Sequence, residues 1–496
     1  MTAVVGLIVV LPLLAAFLAL AARHVAVLRD ALTVVTLAGC AAMAVGLLVA
    51  VWRDGPVVLR VGEWAADLGI VLVADLFACL ILVVAMFTIL VVQVFAIGQR
   101  HTRWGADPTI AAPVLLVLTS GVALSFLTGD LFTLFVGFEL ILVSSYVLLT
   151  HEGRRGQVRS GMTYVVLNLL ASTLFLLGVA YVYAATGTVN LALLAQRVPE
   201  LSDGVRLGIG LWFLVVFGTK AAMFPLFSWL PDSYPTAPTT ITAVFAGLLT
   251  KVGVYAMIRF NTLTAMDDLG PIILVMAGAT MIIGVLGALA QDDLKRILSF
   301  HIISQIGYML MGLGLFSVAG VAGAILYLVH HIPVKTVLFL VGGLIQEDRG
   351  TSALHEVNGL MRSRPAVAVM FALPALSLAG LPPFSGFVAK LSLVDAGVAQ
   401  QATAIVVVSL VGSLLTLLSM TKIWLGVFWG EPDGGRPERP VRGWGHRTMT
   451  GATAVAVAAT LAVAVFAGPL WDVSERAAAG LVERAPYVTA VLGGGR

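Results

Sequence analysis

Lysine side chains lie inside the long apolar runs of this sequence, where a charge is costly. Five of the six lysines are placed in this way, whereas the 23 arginines lie in polar connectors or at the edges of the runs. A charged side chain at the centre of a bilayer costs about 2.5 to 3.5 kcal/mol on insertion scales. Because a desolvated lysine can lose its proton and an arginine effectively cannot, this division indicates groups that titrate. The five lysines are Lys220, Lys251, Lys335, Lys390 and Lys422.

One carboxylate, Glu139, stands in the middle of the apolar run DLFTLFVGFELILVSSYVLL. Such an acid needs a cation beside it or must stay protonated. Lys220 is the expected partner. Pro225 interrupts its run, and this break favours a functional pair, because freed backbone groups at membrane depth are tolerated mainly where they line a cavity. A buried Glu/Lys pair can also be purely structural, so these residues alone leave both interpretations open.

A histidine and a lysine stand one turn apart in the segment HHIPVK. His331 and Lys335 share one face of the predicted helix, and Pro333 between them loosens the local hydrogen-bond ladder. Imidazole titrates near neutral pH and can relay protons. His330 should point elsewhere, and His301 either lines a cytosolic entrance or caps a helix end, so both are secondary candidates.

A second interrupted run, LAGLPPFSGFVAKLSLVD, has Pro382 and Pro383 in mid-span and Lys390 about two turns later. Paired interrupted spans are the best sequence indication of an inverted-repeat transporter. Lys251 lies between the two breaks and is either a charged connector or a snorkelling anchor. Lys422 is a secondary candidate, for which the anchor interpretation is equally good.

The composition is that of a polytopic membrane protein. The chain has 496 residues, of which 59% are hydrophobic and 11% charged, and its mean hydropathy is +1.02. Apolar runs of about 18 residues or more predict membrane-spanning helices. Fourteen such runs lie near residues 3–22, 32–51, 70–97, 110–127, 131–150, 160–185, 208–229, 237–258, 269–290, 297–315, 320–345, 366–396, 403–429 and 449–468.

The polar parts of the sequence indicate neither a cofactor nor a nucleic-acid partner. There is no phosphate-binding loop, no dinucleotide fingerprint and no basic patch with interleaved aromatics. Cys40 and Cys79 lie in apolar runs and imply neither a disulfide nor a metal site. The first run lacks a basic leader and is predicted to be an uncleaved span.

The basic residues are distributed unequally between the two sides of the membrane. Connectors after the odd-numbered runs carry sixteen Lys and Arg, and those on the other side carry eight. The positive-inside rule therefore places the first side, here called the basic face, in the cytoplasm. Both termini are then predicted to lie outside, on the opposite face.

Five segments spanning roughly residues 110 to 430 resemble the antiporter-like subunits shared by respiratory complex I, membrane-bound hydrogenases and Mrp-type cation/proton antiporters. The resemblance implies an all-α fold of fourteen transmembrane helices, with discontinuous helices 7 and 12. It also implies residues 1–109 as accessory helices, 110–260 and 261–430 as inverted five-helix repeats (helices 4–8 and 9–13), and 431–496 as a cytoplasmic loop, helix 14 and a short tail. The segments are TYVVLNLLASTLFLLG, FGTKAAMFPLFSWLPDSYPTAPTTITAVFAGLLTKVGVYA, DDLKRILSFHIISQIGYMLMGLGL, HHIPVKTVLFL and GLPPFSGFVAK.

The resemblance also implies roles for the candidate residues. Glu139 and Lys220 would form an ion pair, Lys251 and His331 with Lys335 a central relay, and Lys390 the terminal site. The runs LLTKVGVYA and LSFHIISQIGYMLMGLG are most similar to the Mrp branch of the family. The expected function is proton translocation, without catalysis of its own, within a multisubunit antiporter for Na⁺ or another monovalent cation in the bacterial plasma membrane. The partners would be protons, the cation, lipid and other membrane subunits; the alternative is a proton-pumping subunit of a redox-driven complex.

Overall fold

The computed structural model describes residues 1–100, 102, 105–430 and 443–493, and α-helices dominate it. Apolar runs become helices in a bilayer because each backbone N–H and C=O must be satisfied within its own segment. The helices before the first break are α1 (Thr2–Ala21), α2 (Ala26–Asp54), α3 (Leu76–Gln99), α4 (Pro108–Leu127), α5 (Leu131–Thr150), α6 (Arg155–Thr186), the short α7 (Leu191–Arg197) and α8 (Asp203–Ala221).

After this break, a π turn at Phe245–Leu249 joins α10 (Thr239–Val244) and α11 (Thr250–Leu263) into one crossing. The remaining helices are α9 (Trp229–Ser233), α10 (Thr239–Val244), α11 (Thr250–Leu263), α12 (Gly270–Leu289), α13 (Leu294–Gly314), α14 (Val318–Arg349), α15 (Leu360–Ser363), α16 (Pro365–Ala379), α17 (Ser385–Ala399), α18 (Thr403–Val427), α19 (Trp444–Val465), α20 (Ala467–Glu483) and α21 (Ala485–Leu492).

The predicted fold class is confirmed. Thirteen helices among the described residues are long and apolar enough to cross a membrane. Helices α16 and α17 have 15 residues each, about 22 Å at 1.5 Å per residue, and so form one further crossing only together. The seventh and twelfth crossings are discontinuous, at α8/α9 and α16/α17.

Two segments differ from the sequence prediction. The run at 70–97 begins with a strand, β2 (Val71–Ala74), which pairs antiparallel with β1 (Val57–Arg60). The helix starts only after Asp75, whose carboxylate accepts a hydrogen bond from the Ala78 N–H and caps α3. The short tail predicted after the last crossing is helical and forms α20 and α21. The predicted loop at 431–442 lies outside the described residues.

The crossings that carry the candidate lysines and histidines lie at the centre of the bundle. The apolar windows of α14 and of the α10–α11 crossing are wholly buried, and that of α13 almost so. In contrast, α1, α2, α6 and α18 bury well under half of theirs and leave large apolar side chains exposed. The outer crossings thus separate the polar centre from the surrounding hydrocarbon.

Candidate functional site

Lys220 lies in the last turn of α8, directly before the first helix break. The helix ends in a Schellman motif: Ala222 is left-handed (φ 59°), and the Met223 N–H donates to the Gly218 carbonyl. The Lys220 ammonium is buried and donates to the Asn168 carbonyl at 3.1 Å and to Ser172 Oγ at 2.9 Å. Both acceptors belong to α6.

Glu139 lies beside Lys220 without touching it. No described carboxylate lies within the 4 Å ion-pair distance of Lys220 Nζ, and the buried Glu139 Oε1 has no hydrogen-bond partner among the described residues. Phe138, the residue before Glu139 on α5, approaches Lys220, and its ring centroid is 5.8 Å from Nζ. Glu139 still attracts Lys220 through space. The structure thus holds the predicted partners close, with the pair open.

Lys251 follows the π turn and is wholly buried. Its ammonium donates to the Ala246 carbonyl, 2.5 Å away and inside that turn. A π turn departs from the regular i→i+4 ladder and is frequent at functional sites. Gly253, on the same helix, brings α11 against the end of α8: a Cβ there would lie 2.6 Å from the Ala221 nitrogen. The Lys220 and Lys251 segments are therefore in direct main-chain contact.

His331 and Lys335 are both wholly buried in α14, which continues unbroken through Pro333. The Lys335 ammonium donates to the Leu298 carbonyl of α13 at 3.0 Å. Neither ring nitrogen of His331 has a hydrogen-bond partner among the described residues. A buried polar group without a partner is costly, so this imidazole is placed where a water molecule or a proton donor would be stabilised.

Lys390 lies after the second break and reaches back to the helix before it. Helix α16 ends in another Schellman motif around Gly380 (φ 88°). The Lys390 ammonium donates to the carbonyls of Leu378 at 3.0 Å and Ala379 at 3.2 Å. These carbonyls lie at the negative end of the helix dipole, which attracts a cation. His330 faces the same break and shares a 2.9 Å hydrogen bond with Ser385 Oγ.

Two tyrosines without a predicted role connect the histidines to Lys390. The rings of Tyr327 and Tyr308 are stacked, 5.3 Å apart. Tyr327 also stacks with His331 at 6.2 Å, and Tyr308 lies under the Lys390 ammonium at 4.6 Å. The Tyr327 hydroxyl donates to Gln305. A sequence signal existed, because Gln305 and Tyr308 are polar residues three apart in an apolar run.

The two remaining secondary candidates lie nearer the basic face. His301 Nε2 shares a 2.8 Å hydrogen bond with Ser419 Oγ. The ammonium of Lys422 binds the Leu289 carbonyl at the end of α12 and forms a 2.8 Å ion pair with the exposed Asp292. The hydrogen bond and charge of Lys422 hold the pKa of Asp292, which lies outside the crossings, below its usual value. This placement favours the anchor interpretation of Lys422.

All five intramembrane lysines donate to main-chain carbonyl oxygens. Of these, only Lys422 also has a described carboxylate within 4 Å. Carbonyl dipoles stabilise an ammonium, yet they carry no net charge that would be left unpaired when the proton departs. The four deeper lysines are therefore held in a setting that accommodates both their charged and their neutral forms.

Residues 128–416 match the sequence profile of a family described as NADH:quinone oxidoreductase/Mrp antiporter, transmembrane. The chain is 46% identical over 433 residues to a Na(+)/H(+) antiporter subunit of Alkalihalophilus pseudofirmus, which is 86% of this chain and 87% of that protein. It is 36% identical to the corresponding Na(+)/H(+) antiporter subunit of Bacillus subtilis, over 91% of this chain and 93% of that protein.

Solved structures share this backbone. A chain of the Mrp complex from Dietzia sp. DQ12-45-1b matches with a TM-score of 0.90 at 35% identity, over 99% of this chain and 100% of that one. A chain of the membrane-bound sulfane sulfur reductase, an archaeal respiratory membrane complex, matches with a TM-score of 0.90 at 26% identity and the same coverage. A chain of respiratory complex I from Thermus thermophilus, with a TM-score of 0.83 at 23% identity, shares the fold.

Proposed function

Because this chain belongs to the NADH:quinone oxidoreductase/Mrp antiporter family, as its motifs predicted, we propose that it is the proton-translocating subunit of a multisubunit Na⁺ (cation)/H⁺ antiporter. The relatives named as Na(+)/H(+) antiporter subunits support this proposal, since they cover most of the chain at 36% and 46% identity. The likeness to a chain of the Mrp complex supports assembly with other membrane subunits. The proposed location is the bacterial plasma membrane, with both termini outside.

The proposed proton path runs in the plane of the membrane through the buried lysines. It begins at Lys220 beside Glu139, continues through Lys251 to His331 and Lys335, and ends at Lys390. The observation that carries the proposal is the arrangement of these groups. The Lys220 and Lys251 segments are in main-chain contact, His331 and Lys335 stand one turn apart on α14, and stacked tyrosines fill the interval between His331 and Lys390.

The proposed coupling is electrostatic. A proton that charges one lysine repels a charge on the next, and two charges about 10 Å apart interact by about 2 kcal/mol at an effective dielectric constant of about 20. Closing the Glu139–Lys220 pair stabilises the charged form of Lys220, and opening it, as in this structure, weakens that stabilisation. The pair is thus a switch whose state changes the proton affinity of the first lysine in the path.

The two helix breaks support the proposed inverted repeats at 110–260 and 261–430. Both breaks carry a Schellman motif whose left-handed residue is Ala222 in one and Gly380 in the other, 158 positions later. Lys220 precedes its break and Lys390 follows the second one, so the two lysines are not equivalent positions in this alignment of the breaks. Each repeat would therefore have a helix break with a Schellman motif, with the proton site before the break in the first repeat and after the break in the second.

A second candidate function is a proton-pumping subunit of a redox-driven complex. The observation that favours it is the likeness to a chain of the sulfane sulfur reductase, which matches this backbone as well as the Mrp chain does, with a TM-score of 0.90 in both comparisons. In such a complex, electron transfer in attached subunits would drive the same lysines.

Purification of a tagged copy in mild detergent, followed by mass spectrometry of the bound proteins, tests the proposal. Small hydrophobic subunits without iron–sulfur or flavin proteins are expected. Everted vesicles carrying that complex should then show Na⁺-dependent movement of protons. Bound redox subunits, or proton movement that requires an electron donor, would overturn the antiporter function in favour of the second candidate.

A further inference from the structure

A cavity of about 360 Å³ lies on the opposite face, between the end of α2, the start of α3 and the tail helices α20 and α21. It is large enough for several water molecules. Charged side chains line it: Arg476 and Glu483 are exposed toward its rim, and Asp75 lies at its inner side. Tyr487, from α21, is buried against the same inner side.

A buried arginine, Arg259, lies behind the inner side of this cavity and contacts residues that line it. Arg259 is only 4% exposed and forms a bidentate ion pair with Asp75, one contact being 2.7 Å. Three aromatic rings surround its guanidinium, with centroids at 5.3 to 5.4 Å, and belong to Phe77, Tyr255 and Tyr487. The tail of the chain thus covers an ion pair between two crossings.

The arginine stands on the helix that carries Lys251. Lys251, Tyr255 and Arg259 are four residues apart in α11 and hence follow one face, about 6 Å per step. The Tyr255 hydroxyl accepts a 2.8 Å hydrogen bond from Arg259 and donates a 2.6 Å bond to the Phe126 carbonyl. Polar groups therefore continue from the membrane centre to the cavity along a single helix face.

We propose that this cavity is the hydrated mouth through which the ion path reaches the opposite face, and that the Asp75–Arg259 pair, covered by Tyr487, closes its inner end. A buried ion pair contributes little net stability, because desolvation offsets the attraction. Because the pair lies between Lys251 and a cavity that can hold several water molecules, a passing charge could open it, as a barrier in an ion path requires. The proposal rests on the proposed function only for the identity of the ion.

Water in the cavity is tested by cysteine labelling in the assembled complex, with Cys40 and Cys79 replaced by alanine. A Cβ at Gly480, which lines the cavity, meets no atom within 4 Å, so Gly480→Cys should fit. Gly39→Cys, in the middle of α2, is the matched control, since its Cβ is equally unobstructed. A charged, membrane-impermeant thiol reagent should label position 480 from the opposite face only and leave position 39 unmodified. Equal, slow labelling at both positions would overturn the proposal.

The barrier is tested with the native Cys79, in a chain that keeps only this cysteine. Cys79 is wholly buried one turn after Asp75, so it reports water that passes the ion pair. Tyr487→Ala should raise its labelling rate from the opposite face about tenfold or more. Tyr487→Phe should leave the rate unchanged, because the buried hydroxyl of Tyr487 has no partner among the described residues. An unchanged rate in Tyr487→Ala would overturn the barrier. Labelling requires no transport, so these results are independent of antiport.

Discussion

The ammonium of Lys390 lies 3.0 Å from the carbonyl oxygen of Leu378, across the second helix break. The charge is therefore stabilised by the end of another helix and not by a carboxylate. The C-terminus of a helix carries about half a negative charge in effect, and that field remains whether or not the lysine is protonated. The break thus creates a cation site with no described carboxylate within ion-pair distance of the ammonium.

Lys390→Arg should abolish proton-coupled exchange although it keeps the positive charge. Arginine effectively cannot deprotonate, and its planar guanidinium presents its donors in a different geometry from an ammonium. We expect exchange in everted vesicles to fall at least about a hundredfold, the lower end of what a positioned proton-transfer group contributes, with normal amounts of assembled complex. Wild-type exchange in a well-assembled Lys390→Arg complex would show that position 390 is only structural.

Lys220→Ala should abolish transport without preventing assembly. The substitution removes the titrating group but leaves the apolar surface of α8 and the Schellman motif at its end unchanged. Subunit amounts by immunoblot and exchange in the same vesicles measure the two effects separately. Glu139→Gln is the companion variant: it should leave Lys220 in place and weaken coupling, because the charged form of Lys220 then loses the carboxylate that attracts it. Normal exchange in Lys220→Ala would contradict the path.

Lys422→Gln should leave exchange near the wild-type rate and serves as the control for the other lysines. Its ammonium pairs with the exposed Asp292 at the basic face. The substitution therefore removes a contact at the membrane surface and leaves the charges at the centre of the bundle unchanged. The pKa of Asp292 is depressed in the folded protein, so the contact contributes stability at neutral pH that is lost as the pH falls through that depressed value. Melting curves of both forms should therefore differ at pH 7 and converge in acid. A transport loss as large as that of Lys220→Ala would contradict this role.

The fold and the buried titratable groups could be predicted from the sequence, but their partners could not. Apolar runs and prolines act locally, so the crossings and the two breaks were predicted. The lysines, however, donate to main-chain carbonyls, which every residue possesses, and no sequence pattern marks Leu298 or Leu378 as the acceptor. The π turn before Lys251 is equally hidden, since nothing in FAGLL distinguishes it from a regular helix.

The buried position of Arg259 could not be predicted from the sequence. Its place at the edge of an apolar run puts it among the predicted basic residues of the opposite face, yet it is buried and paired with Asp75, 184 residues away. No local signal links the two, because their contact depends on how α3 and α11 pack. Tyr487, which covers them, lies in the tail that was predicted only as a short extension. Tertiary contacts of this kind become visible only in the structure.

Gly253→Ala should disturb the site more than its small volume suggests. A Cβ at this position would lie 2.6 Å from the Ala221 nitrogen and 2.9 Å from the Lys220 carbonyl carbon. Both are main-chain atoms, which cannot change rotamer to relieve the clash as a side chain can. Helix α11 must then move from the end of α8, and overpacking of this kind costs about 1 to 3 kcal/mol. We expect a lower melting temperature of the complex and slower exchange, because Lys251 moves away from Lys220.

The matched control for this substitution is Gly278→Ala, also in a spanning helix. Its Cβ would meet the Ile405 side chain at 3.4 Å, an ordinary contact that a flexible group can accommodate. Fluorescence-detected melting and exchange in vesicles should therefore be near wild type for Gly278→Ala and reduced for Gly253→Ala. If the two variants behave alike, the contact between the Lys220 and Lys251 segments does not limit transport. Proton transfer between these two lysines would then not depend on their being close together.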